Sequence, residues 1–196
     1  MASLPLSGRS ALVLGIERPL GRRAAIALAE GGADIAGVTL SEDTQAEFAA
    51  NSAANECWAI GRKGIALTSD GRATAVAEAI ADATAELGPI SIIVWHADTP
   101  LPGDTLRGLR SDPAILVLIG GDAGNPERAA LLAWTAELAA AGVRANAIVI
   151  GGAAAVPAGL PEHRPPEPLD VGAAAVYLAS DASAAVEGCY VLAKDS

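Results

Sequence analysis

The chain has 196 residues, a length that suits one domain around a single sizeable core. Hydrophobic residues make up 52% and aromatic residues only 3%, which leaves little material for a base-stacking or sugar-stacking surface. The formal net charge is -10 with no block of Lys or Arg against it, which argues against nucleic acid and anionic membranes as partners.

In chain order, Ser10 to Gly15 ("SALVLG") is a short apolar run that predicts a strand. "PLGRRAAIALAEGGA" predicts a helix, with Pro19 at its start and Gly31-Gly32 at its end, the preferred polarity of those two residues. "DIAGVTL" predicts a second strand, and "SEDTQAEFAANSAANECWAI" a helix capped by Ser41. "GIALTS" predicts a third strand, Thr74 to Leu87 a third helix, and "ISIIVWHA" a fourth strand apolar enough to be buried on both faces. Strand and helix alternate, which implies parallel strands joined by right-handed crossovers.

From Asp98 to Asp112 the alternation breaks, because "DTPLPGDTLRGLRSD" is too short and too rich in Pro and Gly for a crossover helix with its loops. "AILVLIGG" then predicts a fifth strand, Pro126 to Ala141 a long helix, and "VRANAIVIGG" a sixth strand. Ala153 to Pro168 reads as a Pro- and Ala-rich loop, "DVGAAAVYLAS" as a short helix and "GCYVLAK" as the last strand. Neither repeats nor linkers interrupt the pattern. The expected fold is α/β: a single Rossmann-like, doubly wound parallel sheet of about seven strands over residues 1–196, shortened after the fourth and fifth strands.

Cys57 and Cys189 lack CxxC spacing, and His96 and His163 stand alone. Buried free thiols in a reducing compartment are expected, and no metal centre. The N-terminal apolar run is too short for a signal anchor, and no window spans a bilayer, so a soluble cytoplasmic protein is the expectation.

The stretches "ALVLGIERPLG", "GPISIIVWHAD", "GVRANAIVIGG" and "YLASDAS…VEG" resemble the short-chain dehydrogenase/reductase family along nearly the whole chain. The resemblance implies a sheet that binds NAD(H) or NADP(H) at its switch point and an Asn-Ser-Tyr-Lys set that moves the proton. The family's phosphate loop is Gly-xxx-Gly-x-Gly. Here Gly15 and Gly21 hold the outer positions and Pro19 the middle one, which removes an N–H and adds a ring where a diphosphate approaches. Glu17 adds a negative charge, and Arg18 is the residue that could offset it on a phosphate. An ordinary strand-to-helix turn is the alternative reading.

The ribose-binding acid of the family is replaced by Thr39, and Asp70 falls near the family's adenine-contacting Asp. Both residues also suit plain structural roles, a strand residue and a solvated loop carboxylate. The fourth-strand motif Asn-Asn-Ala-Gly appears as Trp95-His96-Ala97-Asp98, with His96 reading as a structural histidine and Trp95 filling space. By the same resemblance, Gly120 and Gly121 occupy the catalytic Ser site, Gly124 the Tyr site and Arg128 the Lys site. The helix that would supply the Asn is largely missing. Arg128 is no replacement for Lys, since its pKa is far higher and its fork differs in shape.

"YVLAK" offers another Tyr-x-x-x-Lys, Tyr190 and Lys194. Residues four apart on a helix sit roughly 6 Å from each other along the axis. On a strand they stand roughly 13 Å apart, too far for the Lys to act on the Tyr. The pair is expected to be an accident of a strand.

Every catalytic position is thus substituted or deleted while the core pattern is intact. The helix Arg128 to Ala140 carries Ala129, Ala130, Leu131, Leu132, Ala133, Trp134, Leu138, Ala139 and Ala140, with hardly a polar face, and so calls for cover. The expectation is a chain that binds no cofactor itself. It would pair through that helix with a catalytically complete, NAD(P)-dependent subunit of the family. Heteromeric dehydrogenases with one active and one degenerate subunit, such as the hydroxyacyl-CoA dehydrogenase of anaerobic benzylsuccinate breakdown, are the precedent that the resemblance supplies. Two alternatives stay open: an atypical NAD(P)H-dependent reductase using Arg18 and His96, and a nucleotide or small-molecule sensor using the residual cleft. In either, Gly15, Arg18, Gly21, Thr39 and Asp70 would be the vestigial cofactor contacts.

Overall fold

A computed structural model describes residues 3–101, 105, 113–120, 125–151 and 160–194. The elements in chain order are β1 (Ser10–Leu14), α1 (Pro19–Glu30), β2 (Asp34–Val38), α2 (Thr44–Ala59), β3 (Gly64–Leu67), α3 (Ala73–Leu87), β4 (Ile92–Trp95), β5 (Ala114–Ile119), α4 (Pro126–Ala140), β6 (Ala145–Ile150), α5 (Val171–Ala179) and β7 (Tyr190–Ala193). The seven strands form one parallel sheet in the order β3-β2-β1-β4-β5-β6-β7, as the alternating pattern requires. Strands β1, β4, β5 and β6 are buried at every position, because helices cover both faces.

One face packs β1, β4, β5 and β6 residues such as Val13, Val94, Leu118 and Ile148 against Ala24, Ala25 and Leu28 of α1, Ala53 and Cys57 of α2, and Ala174 and Leu178 of α5. The other packs Leu14, Trp95, Val117 and Val149 against Val76 and Ile80 of α3 and Leu131, Leu132 and Trp134 of α4. Small residues let the first layer pack closely. A Cβ on Gly172 of α5 would stand 2.8 Å from the Ala27 methyl of α1.

Helix starts follow local chemistry. Asp170 caps α5 by accepting from the Ala173 N–H at 2.7 Å, and Asn125 caps α4 by accepting from the Glu127 N–H at 2.9 Å. The expected Ser41 cap of α2 is corrected: Asp43 accepts from the Ala46 N–H, and the Ser41 hydroxyl donates to the Asp43 carboxylate instead. The carboxylate is the better acceptor for an orphan helix N–H, and it lies one residue before the helix.

Two stretches that carry the family resemblance meet in space. Arg144 Nη2 donates to the carbonyls of Leu178 and Ser183, tying β6 to the end of α5. Buried Asn146 donates to the Val186 carbonyl and accepts from the Cys189 N–H, which holds β7 in register beside β6. The outer edge of β7 is covered as well: the Tyr190 N–H donates to the Pro161 carbonyl, and the Tyr190 carbonyl accepts from the His163 N–H. The loop over 153–168 therefore contributes a short paired segment at 161–163, while 152–159 lie outside the described residues. Among the described residues, no helix is long and apolar enough to cross a membrane.

Candidate functional site

The order of the sheet reverses between β1 and β4, and a cleft of about 390 Å³ opens there at the carboxyl ends of the strands. The turns after β1, β4 and β5 and the starts of α1 and α4 line it, with Arg18, Leu20, His96, Asp98, Asn125 and Arg128 among its walls.

The turn after β1 is built for closeness. Gly15 sits at φ +83°, and a Cβ there would fall 2.1 Å from the His96 carbonyl oxygen. A Cβ on Gly21 would fall 2.2 Å from the Gly15 carbonyl oxygen. Both glycines are therefore demanded by the chain's own backbone, with or without a ligand.

The groups that would meet a pyrophosphate are already bonded within the chain. The Gly21 N–H, in the first turn of α1, donates to His96 Nδ1 at 3.1 Å. Burial pushes the His96 imidazole down to about 4, so near neutrality it is an uncharged acceptor there, and the remaining proton is on Nε2. Arg18 Nη1 and Nη2 each donate to one Asp98 carboxylate oxygen at 2.7 Å, a bidentate pair. That hydrogen bonding raises Arg18 above its ordinary value and holds the Asp98 carboxyl below the usual carboxylate range. Pro19 opens α1 and has no N–H to offer.

The end of β2, where the resemblance implies ribose binding, is bonded internally in the same manner. Thr39 is fully buried, and its hydroxyl donates to the Ser41 carbonyl at 2.9 Å. Next to it the Leu40 N–H donates to a Glu17 carboxylate oxygen at 3.2 Å, so an acid from the turn after β1 reaches the end of β2. Asp70 accepts from the Arg72 N–H at 2.8 Å and pairs with the Arg72 guanidinium at 3.2 Å, shaping the approach to α3.

Of the positions that the resemblance assigns to catalysis, Gly121 and Gly124 lie outside the described residues. Arg128 points inward from α4, is 1% exposed, and donates from Nη1 to the Ile150 carbonyl at 3.1 Å. Trp95 is buried and meets Trp134 edge-on, with centroids 5.9 Å apart, while its Nε1–H donates to the Thr99 carbonyl. Tyr190 lies on β7 as expected, and Lys194 follows the strand with its N–H on the Leu169 carbonyl. Among the described residues, no three His, Cys, Asp or Glu side chains gather to hold a metal.

Sequence reasoning named most of these residues but missed their partners. His96 and Gly21 are 75 positions apart, and Arg18 and Asp98 are 80 apart. No local spacing signals either bond. The fourth-strand motif already flagged at 95–98 was the available clue, because it holds both missing partners.

No protein-family model matches the chain. The 2-dehydro-3-deoxy-D-gluconate 5-dehydrogenase of Escherichia coli (strain K12) is 34% identical over 113 residues, 57% of this chain and 42% of that protein. The match spans less than half of that relative's length. Among solved structures, a blue fluorescent protein from a metagenomic library, in complex with NADPH, superposes with a TM-score of 0.75 at 21% identity, covering 97% of this chain and 98% of that one. A hydroxysteroid dehydrogenase from Escherichia coli gives 0.74 at 20% identity, covering 98% and 97%, and a short-chain type dehydrogenase/reductase from Mycobacterium marinum gives 0.72 at 20%, covering 99% and 98%. The fold is that of the short-chain dehydrogenases/reductases.

Proposed function

We propose that this chain is a short-chain dehydrogenase/reductase relative that has kept the family's fold and closed its own nicotinamide site. It acts as a non-catalytic subunit beside a catalytically complete NAD(P)-dependent subunit, of which a hydroxyacyl-CoA type is the resemblance-based candidate. The observation that carries this reading is the Gly21 N–H donating to His96 Nδ1. The Gly21 N–H, which the family resemblance implies would face a phosphate, already has a neutral imidazole as acceptor, and a ligand would have to displace it. The Arg18–Asp98 pair supports the same reading, since Arg18 would have to abandon a bidentate carboxylate to reach a phosphate. As arranged, these residues do not fit a dinucleotide.

The partner would dock on α4. Its inner side, Leu131, Leu132, Trp134 and Leu138, is buried on the sheet, while Ala129, Ala130, Ala133 and Ala140 are exposed. These methyl groups let a facing helix approach closely, with the exposed Glu137 among them left for a cation of the partner to meet.

A second reading is favoured by the cleft that persists between Arg18 and Arg128 and by the NADPH in the complex with the blue fluorescent protein. There the chain is an atypical reductase or a nucleotide sensor. Titration with NADH and NADPH, followed by nicotinamide fluorescence, separates the two. No enhancement at millimolar cofactor is the expected result. Saturable binding at micromolar cofactor would overturn the subunit reading, and His96→Ala, assayed for turnover, would then tell reductase from sensor.

A further inference from the structure

We propose that the outer face of α2 is a self-recognition seam, on which a second copy of this chain docks antiparallel about a two-fold axis. The chain has one Phe and three Trp. The Phe and one of the Trp stand on this face, Phe48 at 77% exposure and Trp58 at 73%. Large aromatic side chains left in water on one helix face are the usual anchors of protein interfaces.

The spacing of the face is palindromic. Phe48, Asn51, Asn55 and Trp58 follow at intervals of three, four and three residues, the rhythm of a helix-pairing seam, and all four are exposed. The opposite side of the helix, Ala46, Ala50, Ala53 and Cys57, is buried on the sheet. The pattern is symmetric about Ala53. An antiparallel pair centred there sets Phe48 of each copy against Trp58 of the other, and Asn51 against Asn55. Phe48 and Trp58 are about 15 Å apart along the axis, so the two aromatic contacts flank a polar centre that fixes the register.

Charge selects the same arrangement. Acidic Glu42, Asp43 and Glu47 gather at the start of the helix, and Arg62 and Lys63 follow its end, where Lys63 also pairs with Glu86 at 3.5 Å and Glu56 with Arg22 at 3.0 Å. Antiparallel docking brings each acidic end to the basic end of the other copy and opposes the two helix dipoles favourably, whereas a parallel pair would set like against like. Four buried aromatic rings account for about 600–1,000 Å². With the Asn pairs and the exposed residues beside them on the same face, the contact approaches the roughly 1,200 Å² at which specific interfaces begin. Because α2 and α4 cover opposite faces of the sheet, this docking leaves α4 and the cleft untouched, and it stands whether or not the chain binds a cofactor.

Sedimentation of the full chain over a range of concentrations tests this. The expected species has twice the 19.5 kDa of one chain. Phe48→Glu and Trp58→Lys should each weaken the pair by about 30-fold or more. The double variant should regain it, since each new carboxylate then faces a new ammonium. Both side chains are exposed, so melting measured at concentrations where the wild type is monomeric should not move. As a measurement without variants, diluting the wild type should red-shift its Trp emission, because Trp58 returns to water while Trp95 and Trp134 stay buried. A 19.5 kDa species at high micromolar concentration, a dimer indifferent to both single variants, a double variant that stays monomeric, or emission that ignores dilution would each overturn the proposal.

Discussion

His96 reads in the sequence as a structural histidine, and its ring is an acceptor for the Gly21 backbone N–H. Its imidazole titrates near 4 when folded, against 6.5 for an ordinary His, mainly through desolvation. The sign follows: as pH falls below about 6.5 the unfolded chain takes up a proton that the folded chain refuses, so stability drops until about pH 4 and then levels. The loss is on the order of 3 kcal/mol. Denaturant midpoints measured at pH 7 and pH 4.5 should show it, and His96→Asn, which keeps an acceptor but cannot titrate, should lose most of that difference. The glycines around it teach a related lesson. Gly21→Ala would push a methyl into the Gly15 carbonyl and should cost about 2–4 kcal/mol, whether or not NADPH is present. A glycine motif that the sequence reads as a damaged phosphate loop is held in place by the fold itself. The identity of those glycines was legible in the sequence; the atoms that require them, on the far side of a strand pairing, were not.

Elements were the most readable level, because each strand is a short apolar run and the first helix carries both a Pro start and a Gly-Gly stop. Where boundaries moved, hydrogen bonding moved them: α2 begins after Asp43 rather than Ser41, and β4 ends at Trp95, two residues before the apolar run does. The stretches "GVRANA" and "YLASDAS…VEG" lie far apart in the sequence, yet they form one lock through Arg144 and Asn146. What made them look familiar is therefore a structural joint and carries no chemistry of its own. Asn146→Ala leaves the buried Cys189 N–H and the Val186 carbonyl without partners, and we expect a loss of about 2–3 kcal/mol in chemical denaturation. Ala133→Glu belongs to the other kind of change. It is exposed on α4, so it should leave the melting temperature of the isolated subunit within a degree or two. In pull-downs from its native host it should abolish recovery of the catalytic subunit proposed above.

For the molecule as a whole, the strand order was legible because alternation, parallel pairing and right-handed crossovers leave few arrangements. What alternation could not reveal is how the ends of the sheet are finished, since that depends on a Pro-rich loop with no periodic pattern. At β7 the loop seals the edge: the N–H of Tyr190 and the N–H of Lys194 are bonded outward to Pro161 and Leu169. Amide hydrogen exchange should find the Tyr190 N–H protected far beyond what a terminal strand would give. At the other end β3 is only partly covered, with all four of its residues half-buried. Stacking sheets into a fibre requires every copy to be bifunctional, able to accept a neighbour at both ends. Among the described residues β7 is bonded outward at Tyr190 and Lys194, so a chain joined to its neighbour through β3 offers no second such end there, and joining stops at two.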